Sequence, residues 1–329
     1  MSVRVVRPGL FTTVQDAGRH GLQHLGLCPG GAMDDIALAL ANALVGNAAG
    51  EAALEVTVIG PELQFERECL VAVCGAEFQG GFPHNRPVLV PAGGRYSVGR
   101  AVRGARAYVA VAGGFALAPV LGSRSTYLPG GFGGLEGRAL KHGDLLPLHE
   151  RSEELSRERF ARLKAKAGSS VRWSAPPLTL PDREPVLIHV IEGQHHASFE
   201  AASQREFVDA VWRIAPESNR MGFRLQGPVL QRAKGAGSDE ILSGPTCLGS
   251  VQVPAGGAPI ALMADHQTTG GYPRIAEVCS ADVPRLAQLA PGGKVHFAHC
   301  SLETAAELRR HMQDRLNTAL RGIAWSYGS

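Results

Sequence analysis

The sequence predicts an all-β protein built from two tandem β-rich units, and three observations carry that expectation. Forty-one glycines and twenty-one prolines spread along the 329 residues cut the chain into many short elements. Between them lie short apolar runs rich in Val, Ile and Leu, of strand length. The halves also echo each other. Gly60-Pro61-Glu62-Leu63-Gln64 returns as Gly227-Pro228-Val229-Leu230-Gln231, and Val90-Pro91-Ala92-Gly93-Gly94 as Val253-Pro254-Ala255-Gly256-Gly257, in the same order. A duplicated and diverged β unit leaves such a trace. Two independent Gly/Pro turns are the plain alternative.

In chain order, Val3 to Val6 and Thr12 to Val14 are strand-like. Asp34 can cap a helix through Ile36, Leu38, Leu40 and Leu44 that Gly46 stops. Leu54 to Ile59, Leu70 to Val73, Pro87 to Val90 and Ala107 to Val111 follow as strands. The charged stretch Glu150 to Ala167 and the prolines at 176, 177, 181 and 185 predict a connector, part helical and part extended. The expected division is therefore a unit over residues 1–150, a connector over 151–185 and a second unit over 186–329. Val186 to Ile191 and Ile260 to Met263 are strand-like in that second unit. Asp282 with Pro284 starts a short turn, and the tail from Ser301 has the helical spacing Leu302, Leu308, Met312, Leu316, Leu320.

Composition bounds the function. Hydrophobic residues form 44% and charged residues 19%, enough apolar material for two cores. A formal net charge of +3 offers no basic field for nucleic acid or an anionic membrane. No run reaches the roughly 20 apolar residues of a membrane span, and the start lacks a secretory pattern. A cytoplasmic location is expected. The six cysteines show no Cys-x-x-Cys spacing, and no metal site is predicted. Phosphate-loop, nucleophile-elbow and dinucleotide fingerprints are absent. No lysine sits in an Ala-Met-Lys-Met setting, so biotin is not expected on this chain, and ATP, if used, belongs to a complex.

Four polar constellations remain. Thr12 to Gly21 ends a strand in a turn with Asp16, Arg19 and His20. Arg19 has the planar fork that grips carboxylates, and pairing with Asp16 is the plain alternative. Pro29 to Asp34 leads into a helix whose free N–H groups suit an anion, with Asp34 as its simplest cap. Ser218-Asn219-Arg220-Met221-Gly222 gathers donors before a strand; a capped turn is the alternative. Asp265-His266-Gln267-Thr268-Thr269-Gly270-Gly271-Tyr272-Pro273 follows an apolar strand as a site edge follows its scaffold. There Asp265 can serve as base, and Gln267 with the threonines can bond an amide or carboxylate.

These four stretches, in this order, resemble the biotin-dependent carboxyltransferase family, which includes the C component of 5-oxoprolinase, the second component of allophanate hydrolase and an antagonist of a sporulation-kinase inhibitor. The resemblance runs from Val3 to about Phe297. It implies two tandem cyclophilin-like β-barrels, a kinase-inhibitor-like B component as partner, and an A component that completes ATP-dependent opening of 5-oxoproline to glutamate. Two departures stand out: His266 replaces a usual Arg, and Gly30 a frequent Ser. On this basis Asp265 and Arg220 are expected to be catalytic. Arg19, Ser218, Asn219, Gln267, Thr268, Thr269 and Tyr272 are expected to bind a small amide-bearing acid in one cleft. A carboxyltransferase part of a urea or amide carboxylase, and a regulator without catalysis, stay open.

Overall fold

A computed structural model describes residues 2–80, 83–149, 154–165, 170–235 and 241–328. Parts of the expected connector, residues 150–153 and 166–169, lie outside them. The chain divides into two compact units that are each discontinuous in sequence. The first takes the chain up to Arg19, Gly30–Leu180 and the residues from Asp314. The second takes His20–Pro29 and Pro181–Gln313.

The first unit holds β1 (Ser2–Arg7), β2 (Phe11–Gln15), α1 (Asp35–Val45), β3 (Ala53–Thr57), β4 (Glu62–Phe65), β5 (Cys69–Gln79), β6 (Pro87–Val90), β7 (Arg95–Ser97), β8 (Arg100–Val111), β9 (Leu145–Pro147) and α2 (Glu154–Ala165). Its strands form two sheets, ordered β7-β4-β1-β9 and β2-β3-β8-β5-β6. Period-two alternation explains the faces: Val3 and Val5, Leu63 and Phe65, and Leu54 and Val56 all turn into one core. β3 stops two residues before the expected Ile59 because Val58 takes φ 59°, a left-handed conformation costly for a β-branched residue. Asp34 caps α1 as expected, accepting from Ala37 N at 2.9 Å, and Gly46 ends it at φ 79°.

The stretch from 154 to 180 belongs to the first unit, and local bonds explain why. Ser156 Oγ donates to Val45 O at 3.0 Å, at the end of α1. The last residues join the same unit: Tyr327 donates its hydroxyl to Leu44 O at 2.7 Å and lies 4.6 Å from the Arg159 guanidinium, ring centre to carbon.

The second unit holds β10 (Val186–Glu192), α3 (Ala201–Asp209), β11 (Val211–Ile214), β12 (Gly222–Gln226), β13 (Gly244–Pro245), β14 (Ser250–Gln252), β15 (Ile260–Leu262), β16 (Thr269–Gly270), β17 (Arg274–Val278), α4 (Val283–Ala287), β18 (Lys294–His299) and the start of α5 (Leu302–Gly328), whose residues from Asp314 belong to the first. Seven strands close a barrel in the order β10-β17-β14-β15-β12-β11-β18. Six of its seams are antiparallel; β10 and β18 close the ring in parallel. Val186, Ile188, Val190, Trp212, Phe223, Val251, Ala261, Val295 and Phe297 fill it. The β13–β16 ribbon stands beside it as a separate two-stranded pair. Among the described residues no helix is long and apolar enough to cross a membrane.

One of the two repeated pentapeptide pairs, 90–94 and 253–257, proves to be a pair of matching turns; in the other, Glu62–Gln64 lie in β4 while residues 227–231 lie in no strand. Gly94 N donates to Pro91 O at 2.9 Å, and Gly257 N to Pro254 O at 2.8 Å. Their left-handed glycines differ: Gly93 in the first unit, Gly257, one position later by alignment, in the second.

Candidate functional site

The register of β12 on β15 sets up the polar site of the second unit. Gly222 faces Leu262 and Phe223 faces Ala261, so the chain just before β12 and the chain just after β15 leave the barrel side by side. Arg220 and Asp265 lie on those exits. Backbone bonds lock the exits together: Met263 N donates to Met221 O at 3.0 Å and Asp265 N to Arg220 O at 2.8 Å. The side chains then close a two-pronged ion pair, Nε to Oδ2 and Nη2 to Oδ1, both 2.9 Å. Asp265 is 1% and Arg220 4% exposed. With both oxygens taken by one guanidinium, the carboxylate reads first as the anchor of the two loops.

Ser218 and Asn219 shape the turn before Arg220. The Ser218 hydroxyl accepts from Arg224 N at 3.0 Å, and Asn219 Oδ1 accepts from Met221 N at 2.8 Å. These are the bonds of a capped turn. Asn219 is nonetheless exposed and Ser218 half-buried, so both reach the surface beside the ion pair.

The stretch after Asp265 is tied inward and opens outward. His266, 2% exposed, pairs through Nδ1 with Gln267 O at 2.6 Å. Burial pushes its pKa down, outweighing the carbonyl and the Asp265 charge, so the ring is a neutral Nδ1–H donor and position 266 carries no permanent charge. Thr246 Oγ1 also donates to Gln267 O, and Thr246 N donates to Thr268 O at 3.0 Å. Gln267 Nε2 donates to Gln252 Oε1 at 3.0 Å. Gly270 lies so close beneath that a Cβ there would sit 2.4 Å from Gln252 Nε2. Thr268 is half-buried, while Thr269 and Tyr272 are exposed.

Sequence reasoning missed Gln252, Thr246 and a polar group behind them. Ser250 Oγ donates to Glu277 Oε2 at 2.6 Å, and Cys247 Sγ donates to the same oxygen at 3.3 Å. The available signal was Ser250-Val251-Gln252: two polar residues at alternate positions of a strand, both buried.

Arg19 and Asp16 belong to the first unit. Asp16 accepts four bonds: Gly18 N at 2.8 Å, Ser123 Oγ at 2.6 Å, and Ser125 Oγ and Arg124 N at 2.5 Å each. Arg19, 1% exposed, donates Nη2 to Ser125 O at 2.6 Å and stacks 5.0 Å from the Phe132 ring centre. At the start of α1 the expected anion position is filled by the protein's own carboxylates. Glu55 Oε2 accepts from Met33 N at 2.9 Å and from the Tyr108 hydroxyl at 2.7 Å, and Asp34 Oδ2 accepts from Thr179 Oγ1 at 2.6 Å. The structure thus brings Ser218, Asn219, Arg220, Asp265 and Gln267 to Tyr272 onto one unit and places Arg19 on the other.

Residues 25–299 match the family described as carboxyltransferase domain, subdomain A and B. The chain is 40% identical over 316 residues to a protein of Escherichia coli named as the C component of 5-oxoprolinase, covering 94% of this chain and 95% of that one. It is 38% identical to the protein of the same name in Haemophilus influenzae, covering 91% of each. Among solved structures, the Kluyveromyces lactis urea amidolyase superposes with a TM-score of 0.84 at 30% identity, covering 97% of this chain and 20% of that one.

Proposed function

We propose a function from one premise: the chain belongs to the carboxyltransferase domain family, subdomains A and B. It serves as the C component of a 5-oxoprolinase, a heteromeric ATP-dependent hydrolase that opens 5-oxoproline to L-glutamate. The carrying observation is the match to two proteins of that name over at least nine-tenths of both lengths. Both names mark one part of a larger enzyme, so activity belongs to the complex. Its partners are an A component and a kinase-inhibitor-like B component, ATP is bound at the level of that complex, and the assembly is cytoplasmic.

An unstrained lactam is a poor electrophile at neutral pH, so its carbonyl needs polarising donors and its carboxylate an anion grip. The two stretches that the ion pair ties together suit that task. On them Asn219, Thr269 and Tyr272 are exposed, and Ser218, Gln267 and Thr268 half-exposed. In this reading they bind the substrate's amide and carboxylate. The Arg220–Asp265 pair holds their two loops in place and takes part in catalysis when a carboxylate competes for the guanidinium. Arg19 grips an anion only after the Ser123–Gly134 stretch yields it.

A second reading draws on the likeness to urea amidolyase. Here the chain would serve a carboxyltransferase acting on urea or another amide, with carboxybiotin supplied by another chain. This chain spans about a fifth of that enzyme, so the reading concerns one part only.

The experiment mixes this chain with the A and B components, ATP and 5-oxoproline and follows glutamate. Activity that requires all three proteins supports the first reading. Full activity from the other two alone removes this chain from catalysis. Transfer of a carboxyl group to urea from carboxybiotin would support the second.

A further inference from the structure

Two thiols outside the candidate site meet at the parallel seam of the barrel. Cys279 follows β17 and Cys300 follows β18, the two strands that flank β10. Each is pinned to β10 by its backbone: Cys279 N donates to His189 O and Cys300 N to Val190 O, both at 2.9 Å. Their sulfurs lie 3.4 Å apart. Asp282, whose N donates to Cys279 O at 2.8 Å, is itself fixed by His189 and Arg285. The backbone on both sides is thus held while the two side chains face each other.

We propose that Cys279 and Cys300 are an oxidation site that closes to a disulfide when the protein meets a hydroperoxide. Cys300 is half-buried and Cys279 buried, so Cys300 meets the oxidant first. Its sulfur attacks one peroxide oxygen; an S–O bond forms, the O–O bond breaks, and the other oxygen leaves as water with the Cys300 proton, giving the sulfenic acid. The Cys279 sulfur then attacks Cys300; the S–S bond forms, the S–O bond breaks, and a second water leaves with the Cys279 proton. Two thiols give two electrons to one peroxide. The sulfurs must approach by only about 1.4 Å to reach disulfide length. Burial, then the bond with Cys300, pushes the Cys279 thiol up to about 12. It therefore stays protonated in the reduced protein, so Cys279 is not the thiol that attacks the oxidant, and it gives up its proton only as its sulfur closes on the Cys300 sulfenic acid.

The other four cysteines act as internal controls. Cys28, Cys69 and Cys74 are buried, and Cys247 is exposed with its thiol pKa raised by burial of the sulfur and the Glu277 charge. The test treats the folded chain with excess hydrogen peroxide, alkylates remaining thiols and maps the peptides. Free thiols should fall from six to four, the chain should lose about 2 Da, and one cross-linked peptide should join 279 to 300. Cys300→Ser should abolish the cross-link, and so should Cys279→Ser if that buried replacement folds. The idea is overturned if Cys300 advances to sulfinic acid with no cross-link. It is equally overturned if the 279–300 yield is the same in urea-unfolded chain, or if Cys247 alone reacts.

Discussion

Each unit buries an arginine and an aspartate, and each satisfies them differently. In the first unit Asp16 collects four donors from its own turn and from residues 123–125, while Arg19, three residues on, gives its fork to Ser125 O and lies over Phe132. In the second, Arg220 and Asp265 are 45 residues apart and close directly on each other. Nearness in sequence did not choose the partners. Strand register did, by setting which loop ends leave a sheet together. A carboxylate served by backbone and hydroxyl donors is part of a local scaffold. One served by a guanidinium is a clasp between loops, and only the clasp can be opened by a competing anion.

Breaking the clasp should have the largest effect. Arg220→Ala or Asp265→Ala strands a buried charge and should cost about 3–5 kcal/mol by urea denaturation, with glutamate production by the three-protein mixture near background. The double change Arg220→Met, Asp265→Leu sharpens the contrast. It should regain most of the stability and none of the turnover. Asp16→Ala should cost less, about 1–3 kcal/mol, because its donors include hydroxyls that can reorient. A loss as large as that of Asp265→Ala would mean the two sites are not different in kind. Asn219→Ala then separates turn from function. It removes one exposed turn bond and should leave the denaturation midpoint nearly unmoved, yet lower turnover about tenfold, or about 1.4 kcal/mol of barrier. Unchanged turnover would leave Asn219 as a cap and nothing more.

The matching turns give a finer comparison. Gly256→Ala, at ordinary backbone and with open space, should stabilise by about 0.4–1 kcal/mol. Gly93→Ala, at φ +74°, should destabilise by about 1 kcal/mol although it occupies the aligned position. Smallest is a pH effect. His266 has its pKa lowered by burial, so below 6.5 the unfolded chain takes up a proton that the folded ring resists. Its share of stability is complete above 6.5 and declines as pH falls toward the folded value. His266→Gln should flatten that part of the stability–pH curve; His84, His195 and His299, also lowered, keep the remainder.

Much of this was legible from sequence. Asp34 and Gly46 bounded α1, short apolar runs marked β1 and parts of β5 and β8, and one of the two echoed pentapeptides located equivalent turns. The polar loops were visible as side chains standing between apolar runs. Their inner partners were not. Gln252 and Thr246 sit in short segments with no periodicity long enough to register, and only the fold reveals that a buried face carries them. The burial of Arg19 was equally hidden, since Phe132 lies 113 positions later in the chain and arrives through tertiary structure alone.

An odd ring of strands cannot be closed by hairpins, and here the closing pair joins the first strand of the barrel to the last. During translation six strands can emerge and align, yet the ring stays an open sheet until residues 294–299 clear the ribosome. A nascent or truncated chain ending before them would expose the edge of β10 to proteases and to neighbouring copies, so the final strand acts as a quality checkpoint for the whole unit.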